Sequence, residues 1–356
     1  MASQVSTRKS QHLDITIGEA VGFRDKTTLL EHVQLVHNAL PELSLDEVDL
    51  SVRVLGRSLK VPLIIAGMTG GTERATEINR ELAAIAEERG YGFGLGSQRA
   101  MLRDPSLTAT YQVRERAPST LVLGNIGAVQ AVKMQTGEIA ALCENVGANA
   151  LCVHLNPAME VVQPEGDHDF RGIAKLFERL SAELPIPVVA KETGCGISRD
   201  CGERLYALGV RHVDVSGAGG TSWVAVETLR ATEQRRALGE LFWDWGIPTA
   251  ASLLSVEPLR FKTVIATGGI ATGLDAARAI VLGASAVGIA RPVLQAFAKG
   301  GRQGALDFLT RVERELRTTF LLIGAGNVAQ AQAAPRFLTG ALADWRAHLA
   351  QQFPTR

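Results

Sequence analysis

The stretch from residue 263 to 292, TVIATGGIATGLDAARAIVLGASAVGIARP, decides the fold. It opens on a short apolar run at 263–267 and closes on another at 285–290. Between them a helical pattern ends at Gly283, where a glycine supplies the left-handed cap and the chain turns directly into the next strand. Neither run alternates, as suits parallel strands covered on both faces. The pair Gly268-Gly269 follows the first run, and Ala290-Arg291 follows the second. Paired glycines let backbone N–H groups approach a phosphate, a following helix N-terminus adds its positive end, and Arg291 adds a charge.

The same rhythm extends outward. Gly90, Gly147 and Gly209 also close helical patterns, and each stands just before an apolar run: YGFGLG, ANALCVHL and VRHVDVSG. From Glu73 to Arg89, Ala75, Ile78, Leu82 and Ile85 recur at three- and four-residue spacing and predict one stripe against a sheet. Eight candidate strands fall near 61–66, 91–96, 120–124, 149–154, 187–191, 211–215, 263–267 and 285–290. Eight such units predict an α/β fold, a closed (βα)8 TIM barrel, with an open doubly wound sheet as the runner-up. Strand starts lie 22 to 38 residues apart except for the sixth and seventh, which are 52 apart, so that stretch holds extra structure on the active-site face. One domain, 1–356, is expected, with an N-terminal extension at 1–60, the barrel at 61–301 and closing C-terminal helices at 302–356.

Composition narrows the function classes. The 37 basic and 37 acidic side chains cancel, so no bulk field draws the protein to nucleic acid or an anionic membrane. No apolar run approaches the roughly 18 residues that span a bilayer, and the N-terminus lacks the apolar segment of a signal peptide. Cys143, Cys152, Cys195 and Cys201 form no C-x-x-C pair and no zinc-type spacing, and read as free thiols of a cytoplasmic protein.

Barrel active sites lie at the C-terminal strand ends, so the residues just after each run matter most. Gly67-Met68-Thr69-Gly70-Gly71 follows the first strand, and Ser97-Gln98-Arg99 the second. His154 and Asn156 after the fourth would form a convergent polar pair if the strand continued. Glu160 is a candidate magnesium ligand, since that ion takes one or two carboxylates plus substrate phosphate oxygens. Lys191 ends the fifth strand, where a cation suits the N1–C2=O edge of a flavin, which gains negative charge on reduction. The run Ser216-Gly217-Ala218-Gly219-Gly220-Thr221 suggests backbone passing close to a ligand. Arg8, Lys9 and His12 precede the barrel, and their plain reading is a solvated tail.

At these residues the chain resembles the type 2 isopentenyl diphosphate isomerases. The likeness runs through RKSQHL (8–13), HNALPELSLDEVDLS (37–51), AGMTGG (66–71), GLGSQRAML (94–102) and GNIGAVQ (124–130). It continues in HLNP (154–157), KETGCGIS (191–198), DVSGAGGTSW (214–223), DWGIPTA (244–250) and GIARP (288–292). The resemblance implies an FMN-dependent barrel that interconverts isopentenyl and dimethylallyl diphosphate, primed by NADPH and assisted by Mg2+, in a homotetramer or homooctamer. It implies that Gly67, Met68, Thr69, Ser97, Asn125, Lys191, Ser216 and Thr221 line the flavin, and that Gly268, Gly269, Ala290 and Arg291 hold its phosphate. Arg8, Lys9, Ser97, Gln98, Arg99, His154 and Asn156 would meet the substrate, Glu160 the magnesium, and the N-terminal tail becomes an arm folded over the site.

One departure bears on the chemistry. Where the family pattern has a Gln-Glu pair after H-x-N, this chain has Met159-Glu160, and a thioether cannot relay a proton. Gln163, four residues on, shares a helical face with position 159 and is the expected substitute, which places it with His154 and Asn156 among the candidate catalytic groups. Ala271 stands where relatives carry a basic residue after the glycine pair. Two alternatives remain open: a repurposed relative with altered or lost activity, and a 2-hydroxy-acid oxidase. The latter needs a histidine base after the later strands, where SGAGGTSW has none.

Overall fold

A computed structural model describes the backbone of residues 2–353 and the side chains of residues 8–353. Eight parallel strands close into a barrel in chain order: β1 (Leu63–Ile65), β2 (Gly92–Gly94), β3 (Val122–Gly127), β4 (Ala150–His154), β5 (Val188–Lys191), β6 (His212–Asp214), β7 (Thr263–Thr267) and β8 (Ala286–Ile289). Closure is made by Gly288 and Ile289 of β8 paired with Ile64 and Ile65 of β1. The expected runs contain every strand except β3. That strand runs on through Gly124 to Gly127, because Leu123–Gly127 pairs residue by residue with Ala150–His154 and the ladder outweighs the weak strand preference of glycine.

The helix Glu73–Arg89 shows why the units form. Thr72 caps it by accepting from Ala75 N, the stripe Ala75, Ile78, Leu82 and Ile85 is buried, and Gly90 ends it at φ +72°. Gly147, Gly209 and Gly283 take positive φ at the corresponding turns, which L side chains adopt at a steric cost. Inside the barrel, Ile64, Leu123, Cys152, Val189 and Ile265 form a separate core. A hairpin of Val52–Val54 and Arg57–Leu59 plugs that core by adding Val54, Leu55 and Leu59.

Two segments reshape the expected outline. The stretch between β6 and β7 holds the helices Trp223–Arg230, Glu233–Leu241 and Thr249–Val256. The C-terminal segment is not all helix: after the helix Arg291–Leu322, kinked at Gly300-Gly301, strand Arg336–Leu338 pairs antiparallel with Val33–Leu35 of the extension. Such a pairing is set by a partner about 300 residues away and leaves no local periodicity to read. No helix among the described residues is long and apolar enough to cross a membrane.

The N-terminal segment is a helix, Ala2–Gly18, laid across the barrel mouth with Leu13 buried beneath it. Its last turn exposes carbonyls that lack intrahelical partners, and side chains from the start of the helix after β8 satisfy them. Arg291 donates to Thr16 O at 2.9 Å and Glu19 O at 2.6 Å, and Gln295 donates to Ile17 O at 3.2 Å. Leu59 is the test of the plug: Leu59→Ala is expected to destabilise the fold by about 2–5 kcal/mol, measured as a lower urea midpoint at constant slope.

Candidate functional site

Between the C-terminal strand ends and the N-terminal helix lies a cavity of about 440 Å³, within the range of cofactor and ligand sites. Seven buried side-chain polar atoms lack a partner among the described residues. Five of them belong to residues lining this cavity: Arg8 Nε, Thr16 Oγ1, Thr69 Oγ1, Arg99 Nε and Gln163 Nε2. Buried polar groups are rarely left unpaired, so this concentration marks a place shaped for a polar ligand.

One end suits a phosphate. Gly268 and Gly269 sit at φ +105° and +76°, and a side chain on Gly269 would strike Thr28 and the backbone of Gly219. Neither glycine donates its N–H to another described residue, so both remain available to an anion. Ala290 caps the helix that begins at Arg291. The helix Gly273–Val281, which follows β7, offers less, because the carboxylate of Asp275 takes the N–H groups of Ala271 and Thr272. The arm closes this end as well: Phe23 N donates to Gly220 O at 3.3 Å, and Gly22 bridges to Thr221.

The floor carries polar groups in fixed orientations. Asn125 donates from Nδ2 to Leu95 O at 3.0 Å, which leaves its Oδ1 to accept from His154 Nδ1 at 2.9 Å. His154 Nε2 is therefore the unprotonated acceptor nitrogen. Burial, then the charges of Lys191, Lys9 and Arg99, push the His154 pKa down to about 3, so the ring is neutral across the physiological range. Lys191 donates to Asp214 Oδ2 at 2.8 Å, and that oxygen also accepts from Thr267 Oγ1 at 3.1 Å. Ser216 lines the cavity with a non-glycine φ of +36°, its N–H bonded to Asp214 Oδ1 at 3.2 Å. Sequence reasoning missed Asp214; its signal was a carboxylate ending an apolar strand, one rung across from Lys191.

The opposite side collects cations. Arg8, Lys9 and Arg99 converge there, and Glu160 is the one carboxylate among the described lining residues. Lys9 Nζ donates to Ser97 O at 2.9 Å and Tyr111 Oη at 3.3 Å. Burial first, then Arg8 and Arg99, lower its pKa to about 7. His12 is held by Glu227 at 2.8 Å, a carboxylate with no exposed surface that also pairs with Arg230. Glu160 accepts from Asn156 Nδ2 at 3.1 Å and from Asp167 N at 2.9 Å. Met159 lies beside Asn156, and the Gln163 carboxamide is buried against the cavity.

Of the sequence-predicted site residues, Gly67, Met68, Thr69, Ser97, Arg99, Asn125, His154, Asn156, Glu160 and Gln163 all line this cavity. So do Lys191, Ser216, Thr221, Gly268, Gly269, Ala290 and Arg291, with Arg8 and Lys9 from the arm. Gln98 is the correction. Its side chain has no exposed surface and turns inward, donating to Leu142 O at 3.1 Å and accepting from Asn125 N at 2.8 Å. It braces β3 beneath Asn125 and does not reach the cavity. Among the described residues no cluster of three His, Cys, Asp or Glu side chains could hold a metal unaided, so Glu160 fits only a cation whose remaining ligands come from water and a bound anion.

The class follows from these features and from the proteins they match. Residues 173–336, which carry β5 through β8 and the phosphate-type loops, match the family described as FMN-dependent dehydrogenase. Solved structures share the whole architecture. A mandelate oxidase bearing an FMN adduct superposes with a TM-score of 0.62 at 17% identity, covering 95% of this chain and 99% of that one. The lactate oxidase of Pediococcus acidilactici gives 0.67 at 14% identity, over 95% and 93%. The molecule thus shares the barrel fold of these oxidases. In sequence, it is 44% identical over 342 residues to the isopentenyl-diphosphate delta-isomerase of Methanothermobacter thermautotrophicus, covering 96% of this chain and 95% of the relative. With the Pyrococcus abyssi isopentenyl-diphosphate delta-isomerase it shares 40% identity over 354 residues, 97% of this chain and 95% of that one. The chain belongs to the isopentenyl-diphosphate delta-isomerase family.

Lys9 gives a pH test of the cation cluster. An anion seated against it favours the charged ammonium, so binding takes up a proton once the pH exceeds about 7, the value for free Lys9. The affinity of inorganic pyrophosphate is expected to fall above pH 7 more steeply than that of Lys9→Met, by up to about tenfold per pH unit, in titration calorimetry. Identical pH profiles for the two proteins would contradict this assignment.

Proposed function

We propose that the protein is an FMN-dependent isomerase that converts isopentenyl diphosphate to dimethylallyl diphosphate, with the flavin reduced and Mg2+ bound. The observation that carries this reading is the division of one cavity into a phosphate cradle of Gly268, Gly269, Ala290 and Arg291 and a cation cluster of Arg8, Lys9 and Arg99. Two separate anion sites suit a phosphorylated cofactor and a diphosphate substrate held together. NADPH as the priming reductant and a homotetrameric or homooctameric assembly belong to the same proposal.

The reaction adds a proton at one carbon of an allylic unit and removes one from another, with no net oxidation. Ordinary side chains lie far from the pKa of such carbon acids, and reduced FMN supplies the proton transfer when bound. The chain's own residues bind, orient and keep water out. Arg8, Lys9 and Arg99 would neutralise the diphosphate, and Glu160, steadied by Asn156, would hold the magnesium against it. His154, neutral and presenting Nε2 as an acceptor, would take a hydrogen bond from a magnesium-bound water or a protonated diphosphate oxygen. Lys191 would face the pyrimidine edge of the flavin. Leu13, Met159 and Trp223 would cover the hydrocarbon end, where a dry wall keeps bulk water from adding to the reacting carbons.

Met159 favours a second reading, a family member that binds the same ligands with altered or lost activity. The unpartnered carboxamide of Gln163 supports the first, since it places an amide against the cavity one helical turn further on. Purified protein with FMN, NADPH, Mg2+ and isopentenyl diphosphate is expected to form dimethylallyl diphosphate, and no product with the flavin fully reduced would favour the second reading. Gln163→Leu is expected to lower kcat by about 10²-fold. Met159→Gln is expected to raise turnover if position 159 limits it, and unchanged turnover would leave Gln163 and the flavin as sufficient.

A further inference from the structure

The pair Lys191–Asp214 is buried, with side-chain exposures of 11% and 6%. Taking two charges out of water costs several kcal/mol per ion, and well-packed apolar residues often serve stability as well. Its arrangement is asymmetric: Lys191 lines the cavity, whereas Asp214 stands behind it and does not. Among the described residues Lys191 Nζ has one partner, Asp214 Oδ2, so two of its N–H bonds remain for the cavity. Asp214 also fixes two further groups on the cavity wall. It accepts from Thr267 Oγ1 on β7 and from the N–H of Ser216, whose left-handed φ of +36° a serine adopts only where its surroundings impose it. One carboxylate therefore sets three lining groups, on β5, on β7 and in the loop just after β6.

We infer that Asp214 is a positioning residue for the flavin site, which fixes the Lys191 ammonium against the ring and moderates the charge that Lys191 presents to it. The inference rests on FMN occupying the cavity as proposed above. A bare ammonium would favour the electron-rich reduced flavin strongly, and a carboxylate 2.8 Å behind it offsets part of that charge. The pair would thus hold the flavin at a lower reduction potential than Lys191 alone.

The test is the midpoint potential of the FMN-loaded protein, read by spectral titration and independent of isomerase turnover. Asp214→Asn keeps the side-chain shape and removes the charge. It is expected to favour reduced over oxidised FMN by about tenfold, which is about 30 mV upward for a two-electron couple. Asp214→Glu, which keeps the charge, is expected to return the potential toward that of the unaltered protein. In the Lys191→Met background, Asp214→Asn is expected to change the ratio by less than about threefold, because the action runs through Lys191. An unchanged potential in folded, FMN-bound Asp214→Asn would overturn the inference, as would an equal shift with Lys191 absent. Should Asp214→Asn not fold, the neutral pair Lys191→Met/Asp214→Asn compared with Lys191→Met carries the test, and a difference beyond that threefold would overturn it. Failure of the unaltered protein to bind FMN would instead strike the functional reading itself.

Discussion

The site depends on the guanidinium of Arg291 reaching the open carbonyl of Thr16 in the last helical turn and the carbonyl of Glu19 just beyond it. A helix C-terminus has acceptors that its own backbone cannot satisfy, and its partial negative charge attracts a cation. Arg291 also lines the cavity beside Gly268 and Gly269, so one side chain joins the roof of the site to its glycine-lined end. At the other end the buried carboxylate of Glu227 grips His12. About one helical turn ahead of His12, the arm delivers Arg8 and Lys9 to a place the barrel alone could not furnish. Strand ends supply glycines and a few polar tips, whereas a helix laid across the mouth adds long cations from above.

Those cations carry the electrostatic argument. Burial first, and then the nearby charges of Arg8 and Arg99, loosen the hold of Lys9 on its proton, and the described lining residues offer these cations one carboxylate, Glu160. Like charges held together in a partly buried site are destabilising. The fold tolerates them because the barrel core and the plugged interior supply stability elsewhere. A polyanion reverses the sign of the interaction, so binding energy is gained where the free protein is strained. In the proposed flavin site Asp214 would work in the opposite sense on the floor, moderating a cation set to face a ring and not a phosphate.

The barrel was legible because its signals are local. Helical patterns ended at glycines with left-handed caps, each followed by an apolar run, and the stripe from Ala75 to Ile85 repeats at helical spacing. The glycine pair at 268–269 and the polar groups after β4 were legible for the same reason, since strand ends in a barrel point to one mouth. What stayed hidden depended on distant partners. Gln98 sits in a motif that looks like a ligand loop, yet its carboxamide faces Leu142 and β3. The importance of Asp214 appears only when β5 and β6 stand side by side, and strand Arg336–Leu338 exists only beside Val33–Leu35. The arm reads as a solvated tail until Thr16 and Glu19 meet Arg291. The resemblance implies an arm over the site, and the contacts of Arg291 with Thr16 and Glu19 hold it there.

The central claim is that the cavity adds a proton at one carbon and removes one from another without consuming reducing power. Its most direct test is the reaction of isopentenyl diphosphate in D2O with the FMN-loaded protein, Mg2+ and NADPH, followed by proton NMR. The account predicts dimethylallyl diphosphate with deuterium in a newly formed methyl group, and NADPH consumption far below the amount of product. Product formed in step with NADPH oxidation, or substrate consumed without deuterium entering carbon, would contradict it.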